Sequence, residues 1–221
     1  MKNLHLHIEI DYELYTKNPD SSELGKKIIS NSISLIHQIG FEKFNFKKLG
    51  LKINSPESSI YRYFENKHKL LIYLTSWYWT WMEYKLVFAT TNITSPKDRL
   101  NKALELLTTP VLIDNNFSYF NEILLSNIIF SESIKAYHTK NVDEANSIGS
   151  YKSYKTVVNL VAEIILEIKP NYQYPHMLIS TVIEGAHHQK YFSEHLPDLT
   201  DLTEDNEAIT KFYKELVFNF L

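Results

Sequence analysis

Residues 45–71 read NFKKLGLKINSPESSIYRYFENKHKLL. Asn45 is a polar residue just ahead of an apolar-periodic run, which suits a helix N-cap. Phe46, Leu49 and Ile53 recur at three- and four-residue spacing and so share one helical face. Lys47, Lys48 and Lys52 lie mostly off that face. Asn54 can take the left-handed turn that usually calls for glycine. Ser55 then offers a second N-cap, and Pro56 suits a first helical position, where its missing N–H costs nothing. The next helix, expected over residues 57–64, buries Ile60 and Phe64 and leaves Ser58, Ser59, Arg62 and Tyr63 outside. Two short helices joined by so tight a turn fit a helix-turn-helix, whose second helix enters a DNA major groove.

The stretch SSIYRYFENKHKLL resembles the end of the DNA-binding domain of TetR-type transcriptional regulators. That pattern runs small residue, Thr or Ser, apolar, Tyr, any, Tyr or His, Phe, any, any, Lys, any, any, Leu. Ser59, Ile60, Tyr61, Tyr63, Phe64, Lys67, Leu70 and Leu71 fall in place. Upstream, Ile29, Leu35, Gly40 and Phe44 match the first helix and its glycine stop, so the likeness covers residues 23–74. Three positions depart from it. Gly50 stands where alanine is usual, Asn54 replaces the turn glycine, and Glu57 puts a negative charge at the start of the reading helix. The resemblance implies a homodimeric regulator, a repressor rather than an activator, on a double-stranded DNA operator and released by a small-molecule effector. It places Tyr61, Tyr63 and Lys67 against phosphates.

Charge supports this only when it is located. The 221-residue chain carries a net charge of −3, which alone argues against a nucleic-acid partner. Residues 23–70, however, hold nine Lys and Arg against four Asp and Glu, a surplus of five positive charges. Residues 1–22 have a net −2 and residues 71–221 a net −6. The basic charge sits on the segment that looks like the reader. Cysteine is absent, which excludes a disulfide framework and thiolate metal sites. Five Gly and seven Pro in this length favour helices. The N-terminus has no signal-peptide pattern, and the most apolar run, residues 70–82, is too short to span a bilayer. A cytoplasmic protein without membrane partners is expected.

Outside the reader the periodicity is helical almost throughout. The exception is residues 1–16, where Leu4, Leu6, Ile8, Ile10, Tyr12 and Leu14 alternate with polar residues as in a half-buried strand. This arm could pair with its copy, lie along the body, or stay a mobile tail. Asp20, Ser21, Ser22 and Glu23 read as a capping box opening the first helix, which Gly40 ends. From Lys67 a long helix is expected to residue 91, with Leu70, Leu74, Trp77, Trp81, Tyr84 and Phe88 in one stripe. Further helices are expected from Pro96 to Pro110, over residues 117–139 and 143–169, from Pro175 to His195, and after a cap at Thr203 aided by Glu204 and Asp205. The expected fold is all-α. An N-terminal arm (1–22) precedes a three-helix helix-turn-helix DNA-binding domain (23–68) and a larger helical domain (69–221) for effector binding and dimerisation.

Arg62, one of two arginines, projects from the reading helix and can fork onto guanine or contact phosphate. Ser58 and Ser59 are small enough to let that helix sit deep. Asn45, Lys47 and Lys48 can meet a phosphate at the previous helix's start. With Glu57, Tyr61, Tyr63 and Lys67 they form the candidate DNA-binding set. In the body, Trp77, Trp81, Tyr84 and Phe88, closed by Phe117, Phe120, Tyr137, Tyr151 and Tyr154, either line an effector pocket or are plain core. Val182, Ile183, Ala186 and Tyr191, with Phe212, Tyr213, Leu216 and Phe220, either pair with their symmetry copies as a four-helix bundle or complete the monomer's core. Glu184 and His187 have the i, i+3 spacing of di-iron bundles. The other Glu-x-x-His, Glu65 to His68, falls in the reader, so no metal or other cofactor is expected. No phosphate-binding loop, HExxH or nucleophile elbow is present, and no enzyme activity is expected. The rival reading is a helical ligand-binding or interaction protein that keeps this fold without reading DNA.

Overall fold

A computed structural model describes residues 8, 10, 14–113, 119–140, 142–201 and 207–221. Among them are eleven α-helices and no strand: α1 (Glu23–Lys43), α2 (Phe46–Ile53), α3 (Glu57–Tyr61), α4 (Lys67–Thr90), α5 (Pro96–Thr108), α6 (Glu122–Ser131), α7 (Ser133–Tyr137), α8 (Val142–Ser147), α9 (Lys152–Ile168), α10 (Pro175–His195) and α11 (Ala208–Phe220). They divide into two compact units. The first comprises residues 1–81 and 111–153, the second residues 82–110 and 154–221.

In the first unit, α1 is capped two residues later than the capping box suggests. Ser22 accepts from the Gly25 N–H at 3.1 Å, while Asp20 lies in a 3₁₀ turn, Pro19–Ser21, capped by Asn18. One face of α1 is buried, through Ile28, Ile29, Ser32, Leu35 and Ile36. Gly40 leaves helical geometry at φ 76°, and one more turn follows to Lys43. The arm is tied down at its end. Leu14 is buried, and the Thr16 N–H donates to the Tyr63 carbonyl at 2.8 Å. Ile8 and Ile10 are buried too, whereas Leu4, Leu6 and Tyr12 lie outside the described residues.

The single stripe expected for α4 is too narrow over its first half. Every residue from 70 to 79 is buried, as in a helix enclosed on all sides. Thr75 tolerates this by donating to the Leu71 carbonyl at 2.9 Å. The stretch 143–169, expected as one helix, is two. Gly149, at φ 86°, separates α8 from α9.

In the second unit, Ser95 caps α5, which buries Leu100, Ala103, Leu104 and Leu107. Thr108 on α5 hydrogen-bonds Thr210 on α11 at 3.0 Å between buried hydroxyls. Arg99 pairs with Glu167 on α9. Gly185 on α10 lets the Tyr213 hydroxyl of α11 approach so closely that a Cβ there would sit 2.1 Å from it. The expected cap of the last helix, Thr203 with Glu204 and Asp205, lies outside the described residues.

Candidate nucleic-acid interface

The reader is built from its turns. Asn45 Oδ1 accepts from the Lys48 N–H at 2.9 Å and caps α2. Phe46, Leu49 and Gly50 are its buried face. Asn54 takes the left-handed conformation, φ 53° and ψ 48°, as expected. The turn then folds back, and the Ser55 N–H donates to the Gly50 carbonyl at 2.9 Å. A Cβ on Gly50 would lie 2.6 Å from the Ser55 carbonyl oxygen. The departure at Gly50 therefore has a local cause, the close return of this turn.

Helix α3 differs from the expectation at both ends. It begins at Glu57 with Pro56 as its cap residue, and no side chain caps it. Pro56 is still extended at ψ 142°, so the chain enters the helix one residue later than a Ser55 cap would give. The helix ends at Tyr61 and not at Phe64. Tyr63 therefore points inward, against the expectation that it lies outside. It is 3% exposed, and its hydroxyl shares a 2.8 Å hydrogen bond with Ser22 Oγ. That bond, with the Lys17 ammonium over the ring at 5.2 Å, holds the phenol below its ordinary pKa against the effect of burial.

Five side chains remain outward on α3 and its end. Ser58, Tyr61 and Arg62 are exposed, and Glu57 and Ser59 are half-buried. Tyr61, 49% exposed, sets its edge against Phe46 of α2 with ring centres 5.0 Å apart. Its phenol is raised by partial desolvation, then by the charge of Glu57 and a hydrogen bond to it. Asn45, Lys47 and Lys48 are exposed at the start of α2, where Lys48 Nζ also reaches the Lys43 carbonyl at 2.7 Å. Lys67 is turned inward. Its ammonium donates to the carbonyls of Phe41, Glu42 and Phe44 at 3.0, 3.2 and 3.3 Å, and sits 4.7 Å from the centre of the Phe41 ring.

Two features of the first unit carried no signal in the sequence. Leu51 stands 77% exposed on the outer side of α2. Glu132, at the junction of α6 and α7, accepts from the Phe41 N–H at 3.2 Å, and Lys135 bridges Glu132 and Glu42 at 2.6 and 3.0 Å. The glycine turn in the last part of α1 is thus held by Lys67 on one side and by Glu132 on another. The Phe41–Glu132 bond joins residues 91 apart in the chain, a distance over which no local pattern extends.

The body aromatics of the first unit are linked through Tyr78, which packs on Trp81 at 6.0 Å. In the first unit Trp77 packs on Trp81 at 6.1 Å and on Phe120 at 4.7 Å. Tyr137 packs on Tyr151 at 5.5 Å and accepts from the Trp79 indole N–H at 2.8 Å. Tyr78, Trp79 and Phe130, outside the expected stripe, join this cluster. In the second unit Tyr154 donates to Glu184 at 2.9 Å. Tyr84 is partly exposed there and Phe88 is 83% exposed. Phe117 lies outside the described residues.

Of the surface proposed to pair, Val182, Ile183, Ala186 and Tyr213 are buried within the second unit, Leu216 is half-buried, and Tyr191, Phe212 and Phe220 are exposed. His187 donates from Nδ1 to the Ile183 carbonyl at 2.6 Å, and burial pushes its pKa down to about 3. Among the described residues no group of three His, Asp or Glu is placed to hold a metal ion, and no helix is long and apolar enough to cross a membrane.

The fold has known counterparts. The structure of the fatty acid degradation regulator FadR from Bacillus halodurans matches 86% of this chain and 92% of its own, with a TM-score of 0.58 and 16% identity. The structure of apo AibR matches 86% of this chain and 96% of its own, with a TM-score of 0.52 and 13% identity. No protein-family model and no curated protein matches the sequence. The all-α fold expected from the sequence is the fold of this chain, and these two structures share it.

Proposed function

We propose that this chain is a TetR-type transcriptional regulator, a repressor that binds a pseudo-palindromic operator as a homodimer in the cytoplasm. The observation that carries the reading is the outward face of α3. A short helix, set on α2 by a left-handed turn, offers Ser58, Tyr61 and Arg62 to solvent within a segment of positive charge. That is the arrangement a major groove accepts. The regulator fold of FadR from Bacillus halodurans supports it. Asn45, Lys47 and Lys48 flank the face as phosphate partners. The DNA-reading domain spans residues 23–68, and residues 69–221 supply dimerisation and an effector site. An effector that binds the body shifts the dimer toward a spacing of the two readers that fits DNA poorly. The function is binding and not catalysis, without metal or cofactor.

The test is retardation of the DNA just upstream of the chain's own gene, with competitor DNA present. Specific binding should fall steeply with salt, by a log–log slope of about −0.9 per phosphate neutralised. Arg62→Ala should weaken specific binding at least about tenfold and nonspecific binding far less. Equal losses would make Arg62 a phosphate contact. Absence of binding to any DNA at low salt would leave the helical module that reads none.

A further inference from the structure

The outward face of α3 carries two opposite charges. Arg62 follows Ser58 by four residues, and Tyr61 follows Glu57 by four, so the face consists of two parallel rows. Glu57 is the one carboxylate among the residues of α3. Phosphates repel it, and no ion pair among the described residues takes it up. Its neighbour one turn on is Tyr61, whose ring is braced on Phe46.

An ionised carboxylate only accepts hydrogen bonds. In the major groove the donors are the N4 amino group of cytosine and the N6 amino group of adenine. Guanine and thymine present acceptors, and adenine adds the N7 acceptor beside its donor, which repels the second carboxylate oxygen. Residues at the start of a reading helix are those that reach base edges. We infer that Glu57 reads a cytosine, accepting from N4 once in each half-site. This rests on the regulator reading and adds to it a named base at a named residue.

Selection of bound duplexes from a random-sequence pool tests it, with wild type, Glu57→Gln and Glu57→Ala run in parallel. Wild type should enrich two half-sites with cytosine at one symmetry-related pair of positions. Glu57→Gln should change that base to adenine, because an amide pairs with both N6 and N7. Glu57→Ala should lose about tenfold in discrimination at that pair and keep the rest of the site. An unchanged preference in the Glu57 variants, or uniformly tighter binding without a change of preference, overturns the inference and makes Glu57 a brake on phosphate contact. If wild type enriches no sequence, the regulator reading falls and the inference falls with it. The two failures are therefore told apart by the wild-type pool.

Discussion

The three hydrogens of the Lys67 ammonium face three carbonyl oxygens at the end of α1. Carbonyls at a helix C-terminus are short of donors, although that of Phe41 also accepts from the Phe44 N–H at 3.3 Å, and a lysine is a fitting partner for them. The sequence pattern puts this lysine against phosphate, whereas its geometry serves the fold first. Hydrogen bonds to charged groups contribute about 1.5–3 kcal/mol in net terms. Lys67→Met keeps the aliphatic stem over Phe41 and removes the bonds. It should lower stability by about that amount, and the melting temperature of the DNA-free protein by several degrees. A variant that melts like wild type and loses only DNA affinity would return Lys67 to the phosphate backbone. Tyr63 teaches the same lesson. Its aromatic ring and hydroxyl suit a DNA contact, and the early end of α3 turns both toward Ser22.

Among the elements, α2 and the turn after it set the direction of α3. Gly50, Asn54 and Ser55 act together there, and Gly50→Ala is the change that separates them. The added Cβ would meet backbone, the Ser55 carbonyl oxygen at 2.6 Å, which cannot rotate aside as a side chain would. Overpacking of this kind costs about 1–3 kcal/mol. Gly50→Ala should therefore destabilise the protein in a thermal or denaturant melt, although alanine is the residue the family pattern favours here. Unchanged stability would mean that the turn relaxes freely. The pairing of a glycine at 50 with an asparagine at 54 was legible as two separate departures, and only the backbone shows that they share one turn. Elements with strong punctuation were read closely. Pro175 opens α10 and His195 closes it, as expected. The misread ones had weak punctuation. Gly149 lies inside the stretch 143–169 expected as one helix, and its positive φ divides that stretch in two. The α4 stripe misled in a different way. Periodicity reports one face against water, and residues 70–79 have no water-facing side. Tyr78 and Trp79 were missed on that account, while Phe88, inside the stripe, reaches solvent.

At the scale of the molecule, the reading that remains to be tested is assembly. A reader with a single five-residue helix has few base contacts, and two readers held at fixed separation gain by avidity what one lacks. The second unit offers a surface for this. On α10 and α11 the buried sides already serve the monomer through Val182, Ile183, Ala186 and Tyr213, so substitution there would unfold the chain and prove nothing about pairing. On the outer sides Tyr191 is 48%, Phe212 55% and Phe220 50% exposed. One such residue needs no explanation, and the three on α10 and α11 are the ones we propose for the dimer contact. Phe212→Glu combined with Phe220→Glu places like charges across any two-fold axis through this surface while leaving the core untouched. Sedimentation should move from dimer to monomer, with the melting curve of the remaining fold retained. Affinity for a full operator should fall about a hundredfold or more, toward that of wild type for a half-site. A double variant that still sediments as a dimer would put the interface elsewhere on the chain. One that is monomeric yet binds the full operator undiminished would show that each reader acts alone, and the argument from half-site spacing would fail with it.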